Sequence, residues 1–226
     1  MAKLDHMSRR TFCILGTTTA AAALSGCIAG GASFQAATLG YRPVPQLGTP
    51  GNEPFVLPRV DMTRIPREFH RQYVDHTGRY RPGTVVVDTT NRHLYLIQDQ
   101  ETAIRYGIGV GRAGFAWGGR ARIGRKAKWP TWTPPATMIR REPQLRKWAS
   151  GMEGGPHNPL GARAMYLYNG GRDTLYRLHG TNEPASIGQA MSSGCIRMLN
   201  RDAIDLYERV RVGAPVVVVQ GRTAEV

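Results

Sequence analysis

The sequence HGTNEPASIGQAMSSGCIRM, residues 179–198, carries the most specific chemical signal in the chain. It contains one histidine, His179, and sixteen residues later one cysteine, Cys195, between a glycine and an isoleucine. A nucleophilic thiol needs a base that takes its proton and small neighbours that let a substrate carbonyl approach. His179 and Cys195 are therefore a candidate catalytic pair, although their spacing alone does not establish contact.

The composition of the whole chain is that of a globular protein. The 226 residues are 41% hydrophobic and 20% charged, which is enough for a buried core in one domain or at most two. The formal net charge of +14 suits an anionic partner such as nucleic acid, a membrane surface or a cell-wall polymer. Basic runs interleaved with aromatic residues are missing from the sequence, so nucleic-acid binding is not favoured.

The number and spacing of the cysteines limit the kinds of metal site and disulfide that the chain can form. The chain has three cysteines, Cys13, Cys27 and Cys195, and no CxxC pair. Neither a structural zinc site nor a disulfide framework is predicted, and we expect no metal and no cofactor.

Residues 1–26 are predicted to be an export signal. The paired arginines Arg9 and Arg10 precede an uncharged run of about 13 residues, which suits a signal peptide and is too short for a comfortable membrane span. The arginine pair resembles a twin-arginine export signal, and ordinary Sec export is the alternative. Either route predicts a periplasmic protein.

The motif LSGC at residues 24–27 resembles the lipobox of bacterial lipoproteins. The resemblance implies that Cys27 is acylated and becomes the first residue of a membrane-anchored protein. Ile28 after it favours the outer membrane over the inner one. The alternative is plain cleavage that leaves Cys27 as a free thiol. With Cys27 acylated and the leader removed, Cys195 is the only free thiol of the exported chain.

The segment after the leader has little periodicity. Residues 27–63 are rich in Gly, Pro, Ala and polar residues and are predicted to be a flexible tether. The domain is then expected to cover residues 64–221. Short apolar runs bounded by turn residues predict antiparallel strands at residues 84–88, 94–98, 103–110, 164–168, 175–179 and 215–220.

Residues 111–161 are predicted to be a loop-rich insertion that holds all four tryptophans. The tryptophans are expected either to pack into core and loops or to form an aromatic wall for a ligand. After Cys195, Asn200 is predicted to cap a helix over residues 201–209, whose apolar residues form one stripe. Together these predicted elements indicate a mostly β domain with sandwich-like sheets, one or two short helices and the loop-rich insertion.

The motif at residues 179–207, HGTNEPASIGQAMSSGCIRMLNRDAIDLY, resembles the signature of the YkuD-type L,D-transpeptidase family. The likeness extends upstream through PGTVVVD, RYGIGVGR, WPTWTPP and NPLGARAMYLY. The resemblance implies the YkuD catalytic fold. It also implies a cysteine enzyme that cleaves the bond after the third, dibasic residue of a peptidoglycan tetrapeptide stem. Such enzymes then pass the acyl group to an amine on another stem or on an envelope protein.

The same resemblance assigns roles to individual residues. Cys195 is the nucleophile, His179 the general acid/base, and the carbonyl of Gly180 orients the histidine. Gly194 and the backbone amide of Cys195 contribute to an oxyanion hole. The residues implied to contact substrate are Ser192, Ser193 and Arg197, the last by binding a carboxylate.

One position departs from the family pattern. The family's usual histidine before the Gly-Cys pair is Ser193 here, which puts its role in substrate or oxyanion contact in doubt. His157 could supply a second imidazole, or it is a surface residue of its loop. Two other functions stay open: a related L,D-carboxypeptidase or hydrolase, and a non-catalytic wall-binding lipoprotein.

Overall fold

The computed structural model describes residues 41–47, 53–111, 118–190 and 195–220. These ranges contain nine strands and two α-helices. The strands are β1 Gln72–Asp75, β2 Val85–Asp88, β3 His93–Ile97, β4 Thr102–Val110, β5 Gly119–Lys128, β6 Arg163–Asn169, β7 Arg172–His179, β8 Ile196–Met198 and β9 Pro215–Val219. The helices are α1 Ala136–Arg141 and α2 Asn200–Arg209. The mostly β prediction with few short helices is confirmed.

The strands form one sheet that closes on itself. Its order is β1-β4-β3-β2-β9-β5-β6-β7-β8, and β8 also pairs with the end of β4 through Ile108↔Met198 and Val110↔Ile196. Eight strands therefore make a closed, barrel-like sandwich, with β1 alongside β4. Closure leaves these strands without a free edge. The interior is filled by apolar side chains that include Leu94, Ile108, Met165, Leu178 and Ile196.

The predicted antiparallel pairing is wrong for two pairs of strands. β2 pairs with β9 and β7 pairs with β8, both in parallel register. Parallel neighbours need a crossover connection, and residues 180–195 are that connection between β7 and β8. The crossover begins just after His179 and ends on Cys195.

The loop-rich prediction for residues 111–161 misses β5, the longest strand of the described chain. This strand joins β9 on one side to β6 on the other. Only Ala121 and Ile123 of β5 are buried apolar residues, and the register slips between Ile123 and Arg125. Its exposed positions are mostly arginine, lysine and glycine, which hid the strand pattern.

The predicted tether extends too far along the chain. Val44 is buried in the main core, and Pro43 makes a bridge to Gln72 at the end of β1. Farther along, the carboxylate of Glu53 bonds Arg163 and the indole Nε1–H of Trp129. Parts of residues 27–63 therefore pack on the domain. The rest of the predicted tether, the signal at residues 1–26 and Cys27 lie outside the described residues.

Helix α2 packs as predicted but begins differently. Ala203, Leu206 and Val210 are buried along one side. The helix starts at Asn200 itself, and Leu199 precedes it with no capping side-chain bond. The prediction that Asn200 caps the helix is therefore wrong, because its side chain bonds two loops instead. In the described ranges, none of the helices has the length and apolar character that a membrane span requires.

Candidate active site

The pairing of β7 with β8 brings the two sequence-predicted catalytic residues to one face of the sheet. Leu178 is abreast of Ile196 and His179 is abreast of Arg197. Leu178 and Ile196 point into the core, so the alternate residues His179 and Arg197 face the outside. Cys195 precedes β8 by one residue and Arg197 by two, a spacing that assigns it to the same outer face. The charge and the backbone N–H of Arg177, two positions before His179, act on its thiol.

His179 is fixed by burial and by one hydrogen bond. Only 3% of the residue is exposed, and its Nδ1 lies 2.5 Å from the carbonyl oxygen of Gly180. A carbonyl can only accept, so Nδ1 carries the proton and Nε2 of the neutral ring is free to accept one. Burial lowers the pKa of His179 to about 4, and the positive charges of Arg197 and Arg177 act in the same direction, while the Gly180 bond opposes them. The ring is therefore neutral at pH 7.

Cys195 is a free, partly exposed cysteine whose thiol is surrounded largely by protein. Its backbone carbonyl accepts a bond from the N–H of Gly111, at 3.3 Å, just after β4. Burial raises the pKa of the thiol, and the guanidinium and backbone N–H of Arg177, together with Arg197, partly offset that rise. At rest the pair is therefore a thiol and a neutral imidazole, and ionisation of the thiol requires a base.

Arg177 is a residue of the site that the sequence did not single out. Its guanidinium binds both carboxylate oxygens of Asp173, at 2.8 and 2.9 Å. It also lies 4.5 Å from the ring centre of Tyr166, and the guanidinium of Arg125 lies 3.5 Å from the same ring. Arg125, Tyr166 and Arg177 are register partners across β5, β6 and β7. The row therefore consists of two guanidinium groups on a buried tyrosine ring, and the charge of Arg177 acts on Cys195.

Arg197, the predicted carboxylate binder, holds a carboxylate of its own chain. Its Nη1 donates to Oε2 of Glu183 at 2.7 Å. The arginine side chain is 18% exposed and the glutamate side chain 60% exposed, so the pair sits at the rim of the site. Glu183 belongs to the crossover that follows His179, and no motif in the sequence indicates this contact.

Asn200 connects the histidine loop to the neighbouring loop before β6. Its Oδ1 accepts from the N–H of Ala162 at 2.9 Å, and its Nδ2 donates to the carbonyl of Thr181 at 3.0 Å. Gly161 and Gly180 pack so closely that a Cβ on either would lie 2.1 Å from Oδ1 of Asn200. The side chain that the sequence predicts to be a helix cap therefore bonds the loop that follows His179 instead.

Several predicted site residues cannot be placed. Ser192, Ser193 and Gly194 lie outside the described residues, as does Trp117. His157 is exposed, and its carbonyl accepts a bond from Asn182 at 3.1 Å, which brings its loop next to the crossover.

The described tryptophans differ in their surroundings. Trp129 is buried, donates to Glu53 at 2.6 Å and packs edge-on against Phe55, so it serves packing rather than an open wall. Trp132 and Trp148 are only partly buried. In the described ranges no three His, Cys, Asp or Glu side chains cluster in a way that could hold a metal ion.

Comparison with known proteins identifies relatives of this chain. Residues 82–218 match the family model YkuD, described as an L,D-transpeptidase catalytic domain. The probable L,D-transpeptidase YbiS of Escherichia coli (strain K12) is 32% identical over 178 residues, which cover 74% of this chain and 52% of that protein. The probable L,D-transpeptidase ErfK/SrfK of the same strain is 36% identical over 144 residues, covering 62% and 44%. The chain thus spans about half the length of these curated relatives.

A solved structure is also similar. A crystal structure described as a probable carnitine operon oxidoreductase from Brucella melitensis is 48% identical and covers 71% of this chain and 100% of its own, with a TM-score of 0.49. That description applies to the Brucella protein.

Proposed function

Because the chain belongs to the YkuD family of L,D-transpeptidase catalytic domains, we propose that it is a cysteine acyltransferase acting on peptidoglycan stem peptides. The observation that supports the proposal most is the β7–β8 register, which sets His179 abreast of Arg197, two residues after Cys195. The bond from Nδ1 of His179 to Gly180 adds to it, since it leaves Nε2 free as a base.

The first half-reaction is acylation of the enzyme. His179 Nε2 takes the thiol proton as Sγ of Cys195 attacks the carbonyl carbon of the third residue of a tetrapeptide stem. The bond from that carbonyl to the fourth residue breaks, and the leaving amine takes the proton back from Nε2. A thioester on Cys195 remains. The raised pKa of the thiol and the lowered pKa of His179 fit proton transfer that is coupled to attack rather than a preformed ion pair.

The second half-reaction transfers the acyl group. An acceptor amine attacks the thioester carbonyl and gives its proton to Nε2. The C–S bond then breaks, and Nε2 returns the proton to the leaving thiolate of Cys195. The acceptor is a second stem peptide, which gives a 3-3 cross-link, or an amine of an envelope protein. Water as acceptor would make the chain an L,D-carboxypeptidase or a hydrolase that releases wall-attached protein, and this is the alternative within the same chemistry.

Two further groups are assigned to substrate contact. The backbone amide of Cys195, with Gly194, would stabilise the oxyanion, and one such donor contributes about 3 kcal/mol to transition-state stabilisation. Arg197 would bind a carboxylate of the stem peptide through bidentate hydrogen bonds. Its present partner Glu183 supports this assignment, since it shows that a carboxylate fits against the guanidinium. Ser192 and Ser193 complete the proposed substrate contacts.

The cellular setting is proposed from the leader. Export by the Tat or Sec route would bring the protein to the periplasm, and acylation of Cys27 would hold it on a membrane, with the outer membrane favoured. The positive net charge of +14 suits a location beside an anionic wall. Acid hydrolysis of the purified protein followed by fatty-acid analysis, with Cys27→Ala as control, tests the anchor.

A product assay tests the activity. The protein is incubated with a disaccharide tetrapeptide and an amine acceptor, and the products are separated by mass. Cross-linked product that disappears in Cys195→Ala supports the transferase, and hydrolysed tripeptide alone would support the carboxypeptidase. Wall cross-links and attached proteins that stay unchanged in cells carrying Cys195→Ala would favour a non-catalytic wall-binding lipoprotein.

A further inference from the structure

We propose that Asn200 is a positioning residue of the active site, which fixes the tautomer of His179 by clamping the loop whose Gly180 carbonyl the histidine bonds. The inference rests on the proposed function for its catalytic consequence. Its structural part concerns only the imidazole and the two loops around it.

The tautomer of His179 depends on a single backbone group. Nδ1 donates to the carbonyl of Gly180, the residue next in sequence, and no other bond to this ring is present in the described chain. If the peptide between Gly180 and Thr181 rotates, the carbonyl leaves Nδ1 and the proton is free to move to Nε2. A ring protonated on Nε2 cannot take the thiol proton with that nitrogen.

Asn200 holds the next peptide of the same loop, the one between Thr181 and Asn182. Its Nδ2 donates to the carbonyl of Thr181 at 3.0 Å, one residue beyond the carbonyl that orients the histidine. Its Oδ1 accepts from the N–H of Ala162 at 2.9 Å. The N–H of Gly180 in turn donates to the carbonyl of Arg163 at 2.9 Å. The histidine loop is thereby tied to the start of β6 at two points, and one of them is the asparagine side chain.

Gly161 and Gly180 pack directly against the Asn200 side chain. A Cβ on Gly161 or on Gly180 would come within 2.1 Å of Oδ1 of Asn200, a distance that two unbonded atoms do not adopt. Gly161 also has a φ of +61°, a conformation that L side chains rarely take. Both loops therefore approach Asn200 as closely as a backbone without side chains allows. The side chain is held by contacts on both sides as well as by its two bonds.

The position of Asn200 explains how the clamp is kept rigid. The residue is the first of α2, whose next turns are buried in the core through Ala203 and Leu206. The amide is thus mounted on a packed helix, whereas the Gly180–Thr181 peptide belongs to a connection between strands. A rigid element that supports a loop is the arrangement a precisely placed catalytic base requires.

The chain offers a matched control in Asn158. This asparagine is buried, whereas Asn200 is half-buried. The Nδ2 of Asn158 donates to the carbonyls of Pro130, Met152 and Glu153, and its Oδ1 accepts from the N–H of Leu160. It clamps a loop through backbone bonds as Asn200 does, but its side chain bonds none of residues 179–182. Loss of the Asn158 amide removes four bonds and loss of the Asn200 amide removes two, but only Asn200 bonds the loop that follows the histidine.

The experiment compares Asn200→Ala, Asn200→Asp and Asn158→Ala in the full chain. Imidazole ¹⁵N shifts, assigned with His179→Gln, report the His179 tautomer without requiring any activity. We expect the wild type and Asn158→Ala to show the Nδ1–H form, and Asn200→Ala to show a mixture with the Nε2–H form. We also expect kcat per folded molecule to fall about 10- to 100-fold in Asn200→Ala with a small change in KM, because a slightly misplaced base can cost two orders of magnitude.

Asn200→Asp provides a second test of the proposal. Asn200→Asp keeps the acceptor for Ala162 but loses the donor to Thr181, so an intermediate shift of the tautomer is expected even if Asn200→Ala does not fold. An Nδ1–H ring in every folded Asn200 variant would overturn the proposal, whatever the activity. Wild-type protein that shows the expected tautomer but forms no acyl-enzyme or product would instead contradict the proposed function and leave the clamp intact.

Discussion

Arg197 and Glu183 form an ion pair of 2.7 Å that joins the strand after Cys195 to the crossover after His179. The two catalytic candidates are thus connected by a second link besides the β7–β8 register. The carboxylate also occupies the guanidinium that is proposed to bind a carboxylate of the stem peptide. A substrate that uses Arg197 must therefore displace Glu183 or share the arginine with it.

Replacement of Glu183 tests this competition. Glu183→Gln is expected to lower KM for the tetrapeptide donor about two- to fivefold with kcat nearly unchanged, because an exposed ion pair contributes about 0.2–1 kcal/mol. Steady-state kinetics with the donor varied and the acceptor saturating measure the effect. Asp75→Asn, which removes the exposed pair with Arg42, is the control for loss of one surface charge. A rise in KM would instead mean that Glu183 orients Arg197 for the substrate.

The charge of Arg177 is expected to set the reactivity of the thiol. Arg177 is the strongest of the groups that lower the pKa of Cys195 against the effect of burial. Arg177→Gln should raise the apparent pKa of Cys195 and slow its alkylation by iodoacetamide at pH 7, since only the thiolate reacts. Alkylation is followed for the peptide that contains Cys195 over a range of pH.

A double variant separates the effect of the Arg177 charge on the thiol from the effect of the Asp173 carboxylate. Arg177 is paired with Asp173, so its loss also leaves a carboxylate uncompensated. Adding Asp173→Asn to Arg177→Gln should return part of the lost reactivity. An exposed arginine of β5, Arg122, supplies the control variant Arg122→Gln. An unchanged pH profile in Arg177→Gln would show that its charge does not reach the thiol.

The strands that the sequence predicted are those with apolar residues on the core side. The predicted strands at residues 84–88, 94–98 and 215–220 correspond to β2, β3 and β9 with small shifts at their ends. Most of their valines, leucines and isoleucines are buried, in the main core or in a second cluster with Val86 and Ile97, which is why the pattern is visible. β5 gives no such pattern, because its outer face is basic and a bulge breaks its alternation. Its place between β9 and β6 is decided by pairing with distant strands.

In the site, too, residues with a local sequence signal could be predicted and contacts between distant residues could not. His179 and Cys195 could be found in the sequence because their chemistry is distinctive and they lie on either side of one connection. The Asn200 clamp could not, since its partners Ala162 and Thr181 are separated from it by 38 and 19 residues. A local rule favours asparagine before a helix, and that rule gave the wrong role for Asn200.

Acid is expected to destabilise the folded chain through two buried histidines. The pKa values of His179 and His93 are each lowered to about 4, chiefly by burial. Between pH 4 and 6.5 the unfolded chain therefore binds two protons that the folded chain does not. Burial raises the pKa of Asp202 to about 6, beside Arg71 and Asp205, so over much of that window the folded chain binds one proton that the unfolded chain lacks. The three groups leave a net difference near one proton.

Urea unfolding between pH 5 and 6 measures this difference. One proton corresponds to about 1.4 kcal/mol of unfolding free energy per pH unit, with stability falling as pH falls. His93→Gln should bring the slope close to zero, because one histidine then offsets one aspartate. His157→Gln, at an exposed position, should leave the slope unchanged. A wild-type slope of the opposite sign would mean that Asp202 outweighs the histidines.

The contact between Gly180 and Asn200 gives a prediction about the two residues together. A Cβ at position 180 would meet Oδ1 of Asn200 at 2.1 Å, while its next neighbour, the backbone nitrogen of Ala162, is 3.1 Å away. Gly180→Ala should therefore cost about 1–3 kcal/mol of stability, the usual cost of forcing extra volume into a packed site. If the clash is with the asparagine, Asn200→Ala removes its cause, and the double variant should be more stable than the sum of the two single losses predicts. Urea unfolding of the four proteins measures the coupling, and strictly additive losses would mean that the loop yields elsewhere than at Asn200.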